Sequence, residues 1–139
     1  MIVLDTNVLS ELMRSVPDER VVRWLSSTPD SALFTTSICR AEILFGVGLL
    51  PPGRRRNELE QATRAIFNID FAHRVLPFDS DAADSYASIA TARQSSGRRV
   101  AQADAMIAGI AHSRGARIAT RNVSDFADCG IEIIDPWNA

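Results

Sequence analysis

Three carboxylates stand out in this sequence because each interrupts a stretch that is otherwise apolar: Asp5, Glu42 and Asp104. A carboxylate among core side chains costs free energy unless it forms hydrogen bonds, pairs with a cation or takes up a proton. If the three acids converge in the fold, their mutual repulsion must be relieved by protonation or by hard divalent cations. Carboxylate oxygens are ligands that Mg²⁺ and Mn²⁺ prefer, so the predicted chemistry is that of a magnesium or manganese site.

The prediction rests on where each acid stands in its segment. Asp5 directly follows the β-branched run Ile2-Val3-Leu4, which is typical of a buried central strand. Glu42 falls in a helical stripe with three apolar residues that we expect in the core, namely Ile38, Phe45 and Leu49. Asp104 shares a helix face in the same way with Val100, Ile107 and Ala111.

Each acid also has an ordinary structural explanation. Asp5 could cap the helix that begins after it, Glu42 could pair with an arginine, and Asp104 could gain from the dipole at the start of its helix. Three independent coincidences are harder to accept than one shared site. We therefore expect the three side chains to meet.

Cysteine and histidine do not suggest a different metal. Cys39 and Cys129 show no CxxC spacing, and His73 and His112 fit no HxxxH pattern, so the sequence favours neither a zinc site nor a disulfide framework. No apolar run approaches the roughly 18 residues of a membrane span, and no signal peptide is visible. A cytoplasmic protein without a membrane segment is expected.

The charge balance limits how the chain can bind nucleic acid. Fifteen basic and seventeen acidic residues give a net charge of −2, and every basic residue is arginine. This balance argues against binding a polyanion through bulk electrostatics, so any such binding must rely on local basic patches. Arg54-Arg55-Arg56 and Arg98-Arg99 are two candidates, although arginines beside Gly and Pro are equally well explained as solvated loop residues.

Strand-like runs alternate with helical patterns along the chain. Strands are predicted at about 2–4, 32–35, 74–78, 117–120 and 132–134, and helices at about 7–12, 17–25, 37–49, 54–67, 81–94 and 100–112. This alternation predicts an α/β fold with a mostly parallel sheet of about five strands. With 139 residues and 46% hydrophobic content, one domain spanning 1–139 is expected.

Parallel sheets bind ligands outside the carboxyl ends of their strands. Asp5 ends the first predicted strand, and Thr120 to Asn122 end a later one. Both positions should therefore reach the same crevice.

Several motifs together resemble a known family. The opening Val3-Leu4-Asp5-Thr6-Asn7-Val8-Leu9-Ser10-Glu11 is similar to the start of PIN-domain ribonuclease toxins of type II toxin–antitoxin systems, of the VapC and FitB type. Three further motifs and a chain end follow in the family's order, namely Ala41-Glu42 with Phe45-Gly46, Ala103-Asp104-Ala105-Met106-Ile107-Ala108, Ala119-Thr120-Arg121-Asn122-Val123-Ser124-Asp125-Phe126, and Pro136-Trp137. The resemblance covers essentially the whole chain, and the combination is far more specific than any one motif.

The resemblance implies a PIN-like α/β/α sandwich and a metal-dependent endoribonuclease. Such an enzyme would cut cellular RNA (tRNA, rRNA or mRNA) with Mg²⁺ or Mn²⁺ and be inhibited by a cognate antitoxin. Homodimers and toxin–antitoxin hetero-oligomers are implied as well. By similarity, Asp5, Glu42 and Asp104 are the catalytic acids and hold the metal.

The fourth acidic position departs from the family pattern. Many relatives carry Asp directly after the Thr-Arg pair, where this chain has Asn122, and the nearest acid is Asp125. An Asn oxygen can bind Mg²⁺ but brings no charge. The sequence leaves open which of the two residues completes the metal site.

Phosphodiester hydrolysis needs an activated water, charge stabilisation on the phosphate and help for the leaving oxygen. Thr6, Arg40, Thr120 and Arg121 flank the acidic motifs and are the candidates for binding substrate.

Two other classes of function remain open from the sequence. One is a different magnesium enzyme, such as a DNA-directed nuclease; an aspartyl phosphatase would carry a second Asp where Asn7 stands. The other is a non-catalytic PIN-fold module that binds nucleic acid or protein, a reading that the Asn at position 122 keeps open.

Overall fold

A single parallel sheet organises the chain, whose computed structural model describes residues 1–139. Its five strands lie in the order β3-β2-β1-β4-β5, and all four pairings are parallel. The strands are β1 (Ile2–Leu4), β2 (Leu33–Thr36), β3 (Val75–Leu76), β4 (Arg117–Ala119) and β5 (Ile133–Ile134). The predicted α/β fold with a mostly parallel sheet of about five strands is confirmed.

Seven helices flank this sheet. They are α1 (Thr6–Leu12), α2 (Glu19–Ser26), α3 (Ser37–Gly48), α4 (Arg54–Ala65), α5 (Ser80–Ser95), α6 (Gln102–Ser113) and α7 (Val123–Phe126). A 3₁₀ turn spans Asp30–Ala32, and a π-helical turn over Ile66–Asp70 extends α4. The six predicted helices are all present, whereas the four-residue α7 was not foreseen. None of these helices is long and apolar enough to cross a membrane.

The third strand is shorter than predicted. Residues 74–78 were expected to form it, but only Val75–Leu76 pair with β2. The Arg74 guanidinium turns back to donate to the carbonyl oxygens of Asp30, Leu33 and Asp70. Pro77 then cannot donate a backbone hydrogen bond to a ladder. At the start of the strand, the backbone N–H of Arg74 donates to the carbonyl oxygen of Phe71 at 2.8 Å and not to β2, so the paired residues begin at Val75.

The core lies on both sides of the central strands. All three residues of β1 are buried, as are Ile118 and Ala119 of β4. Half of the residues of helix α6 are buried. The helix lies close to α5 at Gly109, where an added Cβ would lie 2.7 Å from the carbonyl oxygen of Ala82. A larger residue at Gly109 would therefore force α5 and α6 apart.

Of the stripe that was expected to place Glu42 among core residues, only Ile38 packs against the core. Phe45 and Leu49 are 69% and 70% exposed. The buried residues of α3 are instead Cys39, Ile43 and Val47. Glu42 is therefore half-buried at the edge of this core face, and the part of the stripe that follows it lies on the surface.

Candidate active site

Asp5 leaves the central strand at the carboxyl end of the sheet and is 2% exposed. Its backbone N–H donates to the carbonyl oxygen of Ala119 at 2.9 Å, which fixes it to the end of β4. Its Oδ1 accepts the backbone N–H of Thr6 at 2.8 Å, and its Oδ2 accepts the hydroxyl of Thr120 at 2.8 Å. Asp5 therefore does cap α1, and the same contacts hold its carboxylate in one orientation.

The end of β4 meets the start of α1 at this point. Thr120 Oγ1 accepts hydrogen bonds from Asn7 Nδ2 at 3.3 Å and from the backbone N–H of Asn122 at 3.0 Å. The Oδ1 of Asn7 accepts the backbone N–H of Arg121 at 3.3 Å. The two strand ends that were predicted to share a crevice are therefore joined directly.

Glu42 reaches the same place from α3. Its Oε1 accepts the hydroxyl hydrogen of Thr6 at 2.7 Å, and it takes part in none of the ion pairs of the chain. Pairing with an arginine, the ordinary explanation for an acid in this position, does not occur. The Oε2 of Glu42 accepts no hydrogen bond.

Asp104 lies in the first turn of α6 and is half-buried. Burial, followed by the charges of Asp5, Asp125 and Glu42, raises its pKa to about 6. Burial also raises the pKa of Asp5, against the opposing effect of the Thr120 hydrogen bond. The acids thus lie near enough to repel one another, and no cation of the chain neutralises them.

Asp5, Glu42 and Asp104 line one cleft of about 610 Å³. Thr6, Arg121 and Asn122 line it as well, as do Arg14 and Trp137 at its margin. A longer groove of about 790 Å³ joins it at Thr6, Ser10, Arg14 and Glu42 and continues towards α4. The convergence predicted for the three acids is therefore present as a continuous surface.

The chemistry of these side chains fits a hard divalent cation. The donors are carboxylate oxygens, and their charge raises the pKa of Asp104 with no arginine to offset it. In this conformation no three acidic, histidine or cysteine side chains are arranged closely enough to hold an ion together. The acids would therefore have to move closer together to hold an ion.

The candidates for the fourth acidic position differ in location. Asn122 is exposed and lines the cleft, whereas Asp125 is half-buried in α7 and does not line it. The charge of Asp125 nevertheless raises the pKa of both Asp5 and Asp104. Asp125 therefore belongs to the acidic group electrostatically, although a direct contact would require α7 to adjust.

Arg40 is not brought to the cleft. It lies two positions before Glu42 on α3, which turns it to the other side of the helix. Its Nη1 donates to Asn68 Oδ1 at 3.0 Å, and its guanidinium lies 5.8 Å from the centre of the Phe67 ring. Arg40 therefore contacts the turn after α4.

Two features of the cleft margin were not predicted from the sequence. Buried Glu11 binds Arg14 Nη1 and the backbone N–H of Asp18 through its Oε2, both at 3.0 Å. Trp137, noted only as part of a chain-end motif, packs under Arg121. The Glu11–Arg14 pair has the i, i+3 spacing of a helical ion pair and could have been predicted. The contacts of Glu11 with Asp18 and of Trp137 with Arg121 join segments that only the fold brings together.

Comparisons with known proteins give one consistent result. The family model described as PIN domain matches residues 2–130. The VapC ribonuclease Y4jK of Sinorhizobium fredii is 40% identical over 137 residues, which span 99% of this chain and 98% of that protein. Toxin FitB of Neisseria gonorrhoeae is 38% identical over 138 residues, or 99% of each chain. A solved structure of FitAB bound to an IR36 DNA fragment superposes with a TM-score of 0.91 at 38% identity, covering 99% of this chain and 96% of that one.

Proposed function

This chain belongs to the PIN-domain family, with VapC- and FitB-like relatives along its whole length, and from that premise we propose that it is a metal-dependent endoribonuclease toxin. Its substrate would be cellular RNA in the cytoplasm. The observation that carries the proposal is the cleft in which Asp5, Glu42 and Asp104 meet without a neutralising cation. Unpaired acids in a cleft are typical of sites that bind a ligand.

Asp5, Glu42 and Asp104 would hold the Mg²⁺ or Mn²⁺ ion, with Asp125 as a further acid whose charge acts on Asp5 and Asp104. When bound, the ion supplies electrostatic stabilisation of the phosphate and lowers the pKa of bound water. The chain's own residues prepare this site. Thr120 and the backbone of Thr6 orient the Asp5 carboxylate, because each donates to a different one of its oxygens.

Glu42 is the side chain best placed to accept a proton. Thr6 binds its Oε1, and its Oε2 accepts no hydrogen bond, so that oxygen would serve either as a ligand of the ion or as the base that orients an attacking water. Arg121 at the margin would contact the RNA backbone, while Thr6 and Thr120 hydrogen-bond the acids and act on substrate through them. Arg40 has no place in this mechanism, because its guanidinium lies against Phe67.

An antitoxin is the partner that we propose for the groove beside the cleft. Met13, Ile43 and Leu50 give the groove an apolar lining that continues to the acids at Glu42. A segment laid along the groove could therefore cover the active site. Relatives of toxin type support this partner, and we propose a homodimer for the toxin itself.

Cleavage of purified total RNA tests the proposed function. Antitoxin-free protein is incubated with Mn²⁺ or Mg²⁺, with EDTA, and as an Asp5→Ala variant matched for folding. The matched control is Asp84→Ala, which removes an exposed acid of α5 that does not line the cleft. We expect metal-dependent cleavage in the wild type and in Asp84→Ala only. If folded, metal-loaded protein cut single-stranded DNA and no RNA, it would be a DNA-directed nuclease, and if it cut neither, a binding module.

A further inference from the structure

Two arginines line the acidic cleft, and they differ in how much of their hydrogen-bonding capacity is used. Arg14 Nη1 donates to both carboxylate oxygens of Glu11, at 3.3 and 3.0 Å. The guanidinium of Arg121 donates to no acceptor within the chain and takes part in no ion pair. Arg121 is thus the cation of the cleft whose donors are free to bind a ligand.

The free guanidinium of Arg121 is nevertheless held in place. It lies 5.0 Å from the centre of the Trp137 ring. Trp137 is 4% exposed, and its backbone N–H donates to Asp135 Oδ1 at 3.0 Å. Stacking on an aromatic face orients a guanidinium and leaves its N–H edge open. The ring cannot itself stack on a nucleobase, because it is buried beneath the arginine.

The nearest acid on the α2 side is already occupied. Arg20 donates to Asp18 through its backbone N–H, its Nε and its Nη2, at 2.8, 3.1 and 2.9 Å. Asp18 therefore does not recruit Arg121, although the two lie close enough for their charges to interact. This arrangement keeps the Arg121 donors available at the margin of the cleft.

We propose that Arg121 and Trp137 form a phosphate-binding unit, in which Arg121 contacts a backbone phosphate of the RNA beside the cleavage site and Trp137 is its positioning residue. The proposal rests on the proposed function and adds to it the reason why one arginine binds the RNA backbone effectively. A planar guanidinium binds phosphate oxygens in pairs. Holding it rigid before binding reduces the conformational entropy lost when RNA arrives.

Cleavage kinetics on a short single-stranded RNA test the pair, with binding of the same RNA in EDTA as a readout independent of catalysis. We expect Arg121→Gln to raise KM and Kd about tenfold with little change in kcat. The slope of log Kd against log salt should also fall by about 0.7, the amount expected for one lost phosphate contact to a single strand. Arg117→Gln removes the same charge at the opposite end of β4. This control variant should leave KM and Kd unchanged.

The role of Trp137 is tested through its dependence on Arg121. Trp137→Leu should raise KM about threefold, and Trp137→Phe should restore most of the loss, because a ring is again present to stack on. In an Arg121→Gln background, Trp137→Leu should cost nothing further. Independent, additive losses would overturn the positioning role, and so would a fall in kcat without a change in KM. If Trp137→Leu does not fold, Trp137→Phe and Arg121→Gln still decide the question.

Failure of this proposal is distinguishable from failure of the proposed function. Wild-type protein that binds RNA through Arg121 but never cuts it would refute the nuclease and keep the phosphate-binding unit. If the Arg121→Gln variant cuts RNA as well as the wild type, the nuclease is kept and the phosphate-binding unit is refuted. Inorganic phosphate and DNA of the same sequence serve as competitors. Loss of affinity for RNA and DNA alike on Arg121→Gln would support phosphate recognition, whereas loss for neither would overturn it.

Discussion

The protein buries charge in two regions, and it treats them in opposite ways. Arg93 on α5 is 7% exposed, and its guanidinium donates to the backbone carbonyl oxygens of Arg98, Ala127 and Ser124 at 2.8, 2.7 and 3.4 Å. These contacts join the end of α5 to the segment around α7. The buried guanidinium of Arg93 therefore has its hydrogen-bond acceptors within the chain.

The acidic cleft lacks such compensation. Burial and neighbouring acids raise the pKa values of both Asp5 and Asp104. For Asp5 these effects outweigh its hydrogen bonds from Thr120 and Thr6, and Asp104 receives no hydrogen bond. A buried charge whose role is only structural is expected to find its hydrogen-bond partners within the chain, as Arg93 does. The contrast supports the proposal that the cleft takes up a cation from outside the chain, and the following experiments test this difference.

Arg93→Met should have the largest effect on stability. It removes three hydrogen bonds and leaves carbonyl oxygens without donors, so we expect the free energy of unfolding to fall by about 3 kcal/mol or more. Urea denaturation followed by circular dichroism measures this change. Arg98→Met serves as the control, because its ion pair with Asp128 is exposed and should contribute less than about 1 kcal/mol. Equal losses in the two variants would contradict the structural role of Arg93.

Divalent cations should stabilise the wild-type protein by the next largest amount. An ion present at about a hundred times its Kd contributes roughly 2.7 kcal/mol when it binds only the folded state. We expect Mn²⁺ to raise the unfolding free energy accordingly and to have little effect on Asp5→Ala. A matched titration with Asp84→Ala should reproduce the wild-type response. An equal gain in the Asp5 variant would place the ion elsewhere.

The sequence predicted the ends of the central strands better than the faces of the helices. Asp5 was placed correctly because an uninterrupted apolar run indicates a buried parallel strand, and the carboxyl ends of such strands meet. The stripe through Glu42 was misjudged because apolar residues at helical spacing do not reveal which face is covered. Phe45 and Leu49 proved exposed, although Glu42 still reached the cleft through Thr6.

Contacts between segments that are distant along the chain could not be predicted from any sequence pattern. Arg93 lies 31 positions from Ser124 and 34 from Ala127, and nothing in local spacing indicates that it binds their carbonyls. Helix α7 is only four residues long and falls below the length at which helical periodicity can be recognised. The position of Asp125 relative to the cleft was therefore open until the fold fixed it.

Asp104→Asn should stabilise the metal-free protein. Removal of a charge whose hydrogen bonds are satisfied, such as Arg93, should instead destabilise it. The folded-state pKa of about 6 lies above the unfolded value of 3.8. The folded state therefore binds this proton more tightly, and ionisation penalises folding fully above pH 6 and progressively less below it. We expect a gain of about 1 kcal/mol at neutral pH, a modest value because solvent screens a half-buried carboxylate. Denaturation in EDTA should show the gain shrinking as the pH falls towards 4; a gain independent of pH would contradict electrostatic relief.

The smallest expected effect distinguishes the two candidates for the fourth acidic position. Asp125 acts on Asp5 and Asp104 through its charge, whereas Asn122 lines the cleft without one. A single charge several ångströms from a partly solvated ion changes its affinity by about threefold, so Asp125→Asn should weaken Mn²⁺ binding by that factor. Asn122→Ala should change it less, because an exposed amide leaves water to take its place. Calorimetric titration of both variants decides between them: a larger loss for Asn122→Ala would make its side-chain oxygen a ligand and reduce Asp125 to a structural residue of α7.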